Sequence, residues 1–304
     1  MSTDLISAPE SHKAGFVSII GRPNAGKSTL MNALIGEQLS IVTSKAQTTR
    51  HRIFGILNGD DFQVVYSDTP GILAPHYELQ RSMMRFVNAA LEDADVVLLV
   101  IDLADTDEAP DEEMLTKLRR ITVPIVLVLN KSDMVNQAAI AAQTEQWAEF
   151  KPAATIVVSA LKKTNTKAVL PALLELLPQH PPYFPKDELT DKSERFFASE
   201  IIREKLLLNY HQEIPYSCEV VVTAFKEKAD ITVIQAEILV ERMSQRAIII
   251  GHQGAGLKKV GMEARKDLEA FFGKKIFLET HVKVEPDWRS KADKLAKFGY
   301  NPKD

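Results

Sequence analysis

Eight consecutive residues, Gly21, Arg22, Pro23, Asn24, Ala25, Gly26, Lys27 and Ser28, fit the pattern GxxxxGK[ST], with Thr29 next. An apolar, strand-like run precedes them and a helix-period run follows. In that context the glycines let backbone N–H groups turn toward phosphate oxygens, and the positive end of the following helix adds to the attraction. Lys27 can reach β- and γ-phosphates, and the Ser28 hydroxyl can ligate Mg²⁺. The residue types and spacing therefore offer a cradle for a nucleoside triphosphate.

Three further motifs extend that chemistry. Asp68, Thr69, Pro70 and Gly71 end a strand-like run, with Asp68 placed to hold a magnesium shell through water and the Gly71 N–H placed to sense a γ-phosphate. Taken alone, this tetrapeptide is equally an ordinary β-turn. Asn130, Lys131, Ser132 and Asp133 end a near-continuous apolar run. A carboxylate only accepts hydrogen bonds, so Asp133 can pair with the N1–H and N2–H₂ of guanine, an edge that adenine does not present. Asn130 can brace the base and the phosphate loop, while the Lys131 stem covers the base. Val157, Val158, Ser159 and Ala160 end the next run, and the Ala160 N–H can meet guanine O6. In the stretch SKAQTTRHR, Thr48 or Thr49 could complete magnesium coordination when the γ-phosphate is present; Thr49 is the preferred candidate.

The residue after Gly71 is Ile72, where Ras-like proteins carry a water-orienting glutamine. An aliphatic side chain cannot orient water, so the attacking water must be held by switch backbone, a nearby polar group or an ion. Chemistry is then mainly positioning plus charge neutralisation by Lys27 and Mg²⁺, with Thr49 and Gly71 in the catalytic set, and turnover is expected to be slow.

These residues need a scaffold that brings their loops together. Strand-like runs at 16–20, 51–57, 62–67, 95–102, 123–130 and 155–159 alternate with helical segments near 27–35, 78–91, 112–119, 138–149 and 166–177. Such alternation predicts a doubly wound, mostly parallel sheet covered by helices, with ligands in the loops after the carboxyl ends of strands. Every motif above falls in such a loop. The 304 residues fit two domains. With 45% hydrophobic and 26% charged residues the composition is that of a soluble globular protein, and no apolar run approaches the ~18–20 residues of a membrane span. The first residues show neither a basic nor an apolar signal region, and the single cysteine, Cys218, can form no intramolecular disulfide. Both point to the cytoplasm, with Cys218 read as a small buried hydrophobe.

Four prolines in residues 178–185 mark a linker, since they cannot continue a helix. Beyond it lie a helix (194–210), strands (216–225 and 231–242), a short apolar turn (247–250), the loop Gly251, His252, Gln253, Gly254, a helix with apolar residues at helical spacing, and a last strand (276–285). The formal net charge is −4, but residues 186–304 hold 21 basic against 20 acidic side chains, and residues 242–275 hold eight against three. Local charge governs phosphate contacts. A GxxG loop between helices lets backbone approach nucleic acid and clamp about four nucleotides; alone it is also an ordinary helix-to-helix turn. The expected boundaries are an N-terminal tail (1–14), a nucleotide domain (15–177), a linker (178–193), a second domain (194–286) and a C-terminal tail (287–304) read as a polar helix from Trp288.

GRPNAGKS, KAQTTRHR, DTPG, NKSD and VVSA, in this order, resemble the translation-factor-like GTPases and specifically the Era family. SERFFASEIIREKL and GHQGAGLKKVGMEARKDLE resemble the C-terminal KH domain of that family. The resemblance implies a P-loop GTPase domain of α/β class followed by a smaller α+β type II KH domain. It also implies hydrolysis of GTP to GDP with Mg²⁺ and binding of 16S rRNA (3′ region) and the 30S subunit in small-subunit assembly. A cytoplasmic monomer, with peripheral association at the inner face of the cell membrane and no transmembrane segment, belongs to the same expectation. RNA contacts fall to Gly251, His252, Gln253, Gly254, Lys258, Lys259 and Lys266. The loop departs from the family in one respect: relatives usually carry a basic residue inside it, where this chain has His252 and Gln253. In related GTPases an asparagine at the place of Asn24 helps bind K⁺ beside the phosphates; the alternative is that Asn24 stabilises the loop. Two other readings compete: a regulatory GTPase whose second domain binds protein, and an ATPase or modification factor, against which NKSD argues.

Overall fold

The computed structural model describes residues 11–105 and 112–301; most of the expected N-terminal tail lies outside them. The chain divides into two compact units. The first holds residues through Ser40, Thr49–His76 and Gln80–Asp191; the second holds Ile41–Thr48, Tyr77–Leu79 and the chain from Lys192.

The first unit follows the expected alternation: β1 (Lys13–Ile20), α1 (Lys27–Ile35), β2 (Ile53–Asn58), β3 (Phe62–Asp68), α2 (Glu78–Glu92), β4 (Val96–Asp102), α3 (Glu112–Leu118), β5 (Ile125–Asn130), α4 (Gln137–Gln146), β6 (Ala154–Val157) and α5 (Val169–Leu176). One six-stranded sheet runs β2-β3-β1-β4-β5-β6. All pairs are parallel except β2 with β3. Val96–Ile101 of β4 and all of β5 are buried, the continuous apolar pattern of strands covered on both faces. Because β1, β3, β4, β5 and β6 share one direction, their carboxyl ends lie on one edge of the sheet. The loops carrying residues 21–28, 69–71, 131–133 and 158–160 leave from that edge.

The proline-rich stretch is not a loose tether at its far end. The Ile56 N–H donates to the Leu189 carbonyl at 2.8 Å and the Phe54 N–H to Asp191 Oδ1 at 2.9 Å. Buried Gln63 accepts from the Tyr183 and Phe184 N–H groups at 2.7 and 3.0 Å and donates to the Phe184 carbonyl at 2.8 Å. The segment thereby covers the open edge of β2, which would otherwise expose unpaired backbone.

The second unit contains α6 (Glu194–Asn209), α7 (Ile214–Ser217), β7 (Glu219–Glu227), β8 (Ile231–Val240), α8 (Met243–Ile250), α9 (Ala255–Phe272), β9 (Lys275–Val284) and α10 (Ala292–Lys297). β8 is central, antiparallel to β7 and parallel to β9. Ile234, Ala236, Ile238 and Val240 alternate inward from β8 onto Ile202 and Leu206 of α6 and Val260, Ala264 and Leu268 of α9. Buried Cys218 lies in this core, as expected. Two local expectations change. Residues 216 and 217, expected to begin a strand, instead end a helical turn (214–217) with Pro215 at its start, and 247–250 is the last turn of an eight-residue helix. Both are too short for periodicity to register. The polar helix expected in the tail from Trp288 is present as α10, but the segment is not a solvated appendage: Trp288, Leu295 and Tyr300 are buried, Trp288 Nε1 donates to the Ser217 carbonyl at 3.1 Å, and Tyr300 Oη donates to Glu219 at 2.5 Å. Three well-spaced apolar groups among many charges anchor a segment that composition reads as polar. Among the described residues no helix is long and apolar enough to cross a membrane.

Candidate nucleotide site and nucleic-acid interface

The loop between β1 and α1 is shaped by backbone that few residue types adopt. Gly26 has φ +89° at the helix start, and a Cβ there would collide with the Asn130 amide. Gly71 is required for closeness instead: a Cβ would lie 2.5 Å from the Pro23 nitrogen. The Ile72 N–H donates to the Gly21 carbonyl at 3.1 Å, joining the loop after β3 to the phosphate loop. Ile72 itself is buried, which leaves it no part in orienting water. Thr69 is turned inward, its hydroxyl donating to the Ile19 carbonyl at 2.8 Å, and Pro70 is buried beside it. Arg22 pairs with Asp105 at 3.6 Å. Asn24 is exposed at φ 64°, Ala25 is buried, and Thr29 is half-buried on the first turn of α1.

Three hydroxyl and carboxylate groups converge at the start of α1. Ser28 Oγ lies 2.8 Å from Thr49 Oγ1 and donates to Asp68 Oδ2 at 2.7 Å. The other carboxylate oxygen, Asp68 Oδ1, is buried without a hydrogen-bond partner. An orphaned buried carboxylate oxygen beside two hydroxyls suits a hydrated divalent cation, so the group fits Mg²⁺. Lys27 Nζ rests on the Gly21 and Arg22 carbonyls at 3.2 and 2.9 Å. Burial lowers the Lys27 ammonium to a pKa of about 8, and the Asp68 charge only partly offsets this. Burial raises the Asp68 carboxyl, against the Ser28 hydrogen bond and the Lys27 charge. Both groups are thus pushed toward their neutral forms, and a polyphosphate with its cation would restore both charges.

At the base end, Asn130 Nδ2 donates to the Ala25 carbonyl at 2.8 Å, the expected brace between NKSD and the phosphate loop. Lys131 is at φ 64° and its ammonium pairs with Asp102 at 2.5 Å. Asp133 is exposed; a hydrogen bond with Ser159 first, then the charges of Lys162 and Lys131, hold its carboxyl below the usual range. It is therefore an anionic acceptor on the rim. Ala160 differs from expectation. Its N–H donates to Asn130 Oδ1 at 2.9 Å, so a single hydrogen is already used to fix the asparagine and could reach guanine O6 only by being shared. Two organising residues escaped the motif reading. Asp102 holds Lys131, and Asn32 in α1 accepts from the Leu39 and Ser40 N–H groups at 3.0 Å each and donates to the Ser40 carbonyl at 2.8 Å. The only sequence signals for them are an acid ending a strand and an amide on an apolar helix.

In the second unit the loop between α8 and α9 presents its motif outward. Gly251 and Gly254 have φ +70° and +80°, and Gln253 adopts φ 49° between them. His252 and Gln253 are exposed, as are Lys258, Lys259 and Lys266 on α9. Lys259 lies 3.9 Å from Glu263, an exposed pair that leaves its charge largely available.

Comparison with known proteins finds relatives along nearly the whole chain. A family model described as a 50S ribosome-binding GTPase matches residues 16–131, and a KH domain model matches residues 213–289. GTPase Era of Syntrophus aciditrophicus is 44% identical over 292 residues, covering 95% of each chain. The chloroplastic GTPase ERA1 of Zea mays is 42% identical over 95% of this chain and 71% of its own. A tyrosine variant of Aquifex aeolicus Era bound to GDP and AlF4⁻ superposes with a TM-score of 0.90 at 36% identity, covering 95% of this chain and 99% of that one. Era in complex with Mg-GDPNP and nucleotides 1506–1542 of 16S ribosomal RNA superposes with a TM-score of 0.89 at 35% identity and the same coverage. With its motifs, its two units and relatives of this similarity along nearly its whole length, the chain belongs to the Era family of GTPases.

Proposed function

We propose that this chain is a GTP-hydrolysing switch that binds small-subunit ribosomal RNA and acts in assembly of the 30S subunit. The observation that carries the first half is the Ser28–Asp68–Thr49 cluster beside buried Lys27, with Asp68 Oδ1 orphaned at its centre. Mg²⁺ bound there supplies charge neutralisation and orientation of the phosphates. Lys27 leaves the loop carbonyls for the β- and γ-phosphates, the Gly71 N–H meets the γ-phosphate, and Asp133 selects guanine. The exposed, left-handed Asn24 and buried Ile72 favour K⁺ as the additional charge beside the phosphates. Hydrolysis should then run faster in K⁺ than in Na⁺, and Asn24→Ala should shrink that difference while sparing nucleotide binding; identical rates in both salts contradict the ion.

The second half rests on the outward loop 251–254 with the exposed lysines of α9, and on the relative crystallised with the 3′ portion of 16S rRNA. In this reading the nucleotide domain spans about 15–177, the linker 178–193 lies largely along the edge of its sheet, and the RNA domain runs from 194 to at least Tyr300, an extension supported by the burial of Trp288, Leu295 and Tyr300. Filter binding with a 16S rRNA 3′ fragment tests this: retention favours RNA, and no retention favours a protein-binding second domain.

A further inference from the structure

Asn32, on α1, folds the chain that follows the helix back onto itself. Its backbone carbonyl accepts from the Gly36 N–H at 2.9 Å, where α1 ends. Its side-chain oxygen accepts from the Leu39 and Ser40 N–H groups at 3.0 Å each, and its Nδ2 donates to the Ser40 carbonyl at 2.8 Å. One amide thus grips Ser40 on both sides of its Cα. The hydroxyl is the part of Ser40 left to act elsewhere.

Ser40 is 2% exposed, and its Oγ is buried without a hydrogen-bond partner. Buried hydroxyls are seldom left so, because they forfeit the hydrogen bonds they made to water. The group it faces is Asp68: burial disfavours the charge of that carboxyl, and Ser28, Lys27 and then the Ser40 hydroxyl oppose the effect. Asp68 Oδ2 is taken by Ser28 at 2.7 Å, while Oδ1 is a second buried oxygen without a partner. Two unsatisfied oxygens therefore lie in one place without bonding each other. A water on a cation has two hydrogens to give, one for each of them. Asn32, Ser40, Ser28, Asp68 and Thr49 all belong to the first unit.

We propose that Ser40 is a further residue of the magnesium site: its Oγ and Asp68 Oδ1 together accept from one water of the hydrated cation, and Asn32 is the residue that positions it. This rests on the reading of Ser28, Asp68 and Thr49 as the magnesium cluster. A hydrated magnesium ion is held largely through its waters, so Ser40 raises affinity without touching the cation.

The test reads Mg²⁺ binding without hydrolysis, as the rate at which the intact protein releases a fluorescent GDP while free Mg²⁺ is raised. Ser40→Ala should increase the Mg²⁺ concentration for half-maximal slowing of release roughly tenfold, as for other groups one shell out from a metal. Its release rate without Mg²⁺ and its melting temperature should stay near those of the wild type. Asn32→Ala should shift the Mg²⁺ dependence in the same direction by less. If Ser40→Ala fails to fold, Ser40→Cys carries the test with the same expected shift, since a thiol fills the place but is a poor partner for water. An unshifted Mg²⁺ dependence overturns the proposal, as does a shift matched by an equal change in release without Mg²⁺, which marks a structural role. If release from the wild type ignores Mg²⁺ altogether, the cluster reading fails and the role of Ser40 falls with it.

Discussion

At residue scale, Lys27 and Asp68 are the two charged groups that burial disfavours at the phosphate end of the site. The Lys27 pKa of about 8 lies below the ordinary 10.5. The folded, nucleotide-free protein therefore sheds this proton near pH 8, while the unfolded chain keeps it to about 10.5. Below pH 8 the burial penalty, about 3 kcal/mol for a shift of this size, acts in full; it is relieved as pH rises from 8 to 10.5, so Lys27 makes the empty protein relatively more stable there. Phosphates reverse the preference, so nucleotide binding between about pH 8 and 9 should take up as much as one proton. Titration calorimetry in buffers of differing ionisation enthalpy would detect it, and binding without proton uptake would contradict the assignment. At the other end of the site, Asp133→Asn exchanges an acceptor for an amide that can donate. It should lower GTP affinity on the order of tenfold to a hundredfold and favour xanthosine triphosphate; equal wild-type affinity for GTP and ATP would end the guanine reading. Gly26, Lys27, Ser28, Asp68 and Asp133 were legible because their spacing is itself the chemistry. Asp102, Asn32 and the inward use of the Ala160 N–H were not, because each depends on which loop lies beside which once the sheet order is set.

At the scale of elements, strong periodicity told more than composition. β4 and β5 declared themselves as buried parallel strands through unbroken apolar runs. α7 and the last turn of α8 were hidden, since four residues carry no helical period. The RNA reading lives on one such junction, the loop between α8 and α9. Replacing His252 and Gln253 together by Asp leaves both glycines and every buried position untouched, and exposed changes usually stay within about 0.5 kcal/mol of stability. Gln253 does adopt a left-handed conformation, but aspartate tolerates it better than most residues. The double variant should remain folded, bind RNA far more weakly, and hydrolyse GTP at the wild-type basal rate. Replacing Lys258 and Lys259 by alanine should flatten the slope of log affinity against log salt by roughly 0.7 for each single-strand phosphate that is no longer neutralised. Unchanged RNA binding by the folded double-aspartate protein would move the RNA site to another face.

For the whole molecule, a net charge of −4 conceals a distribution suited to two ligands, with the basic excess gathered in residues 242–275. The two-unit division was legible from the prolines and the change of pattern, but the end of the second unit was not. Trp288, Leu295 and Tyr300 sit too far apart, among too many charges, to announce a buried segment. Trp288→Ala should destabilise that unit by about 3–5 kcal/mol, as expected for a fully buried aromatic, while GTP affinity stays near wild type. Chemical denaturation followed alongside nucleotide binding would separate the two; an unchanged midpoint would return the segment to a surface role. The central claim, that a nucleotide switch and an RNA clamp share this chain, is tested most directly by filter binding of the intact protein. The RNA is a fragment from the 3′ end of 16S rRNA, with a non-hydrolysable GTP analogue present and an unrelated single strand of equal length as competitor. The account predicts retention of the rRNA fragment that the competitor does not displace at equal concentration; retention no tighter than that of the unrelated strand would contradict it.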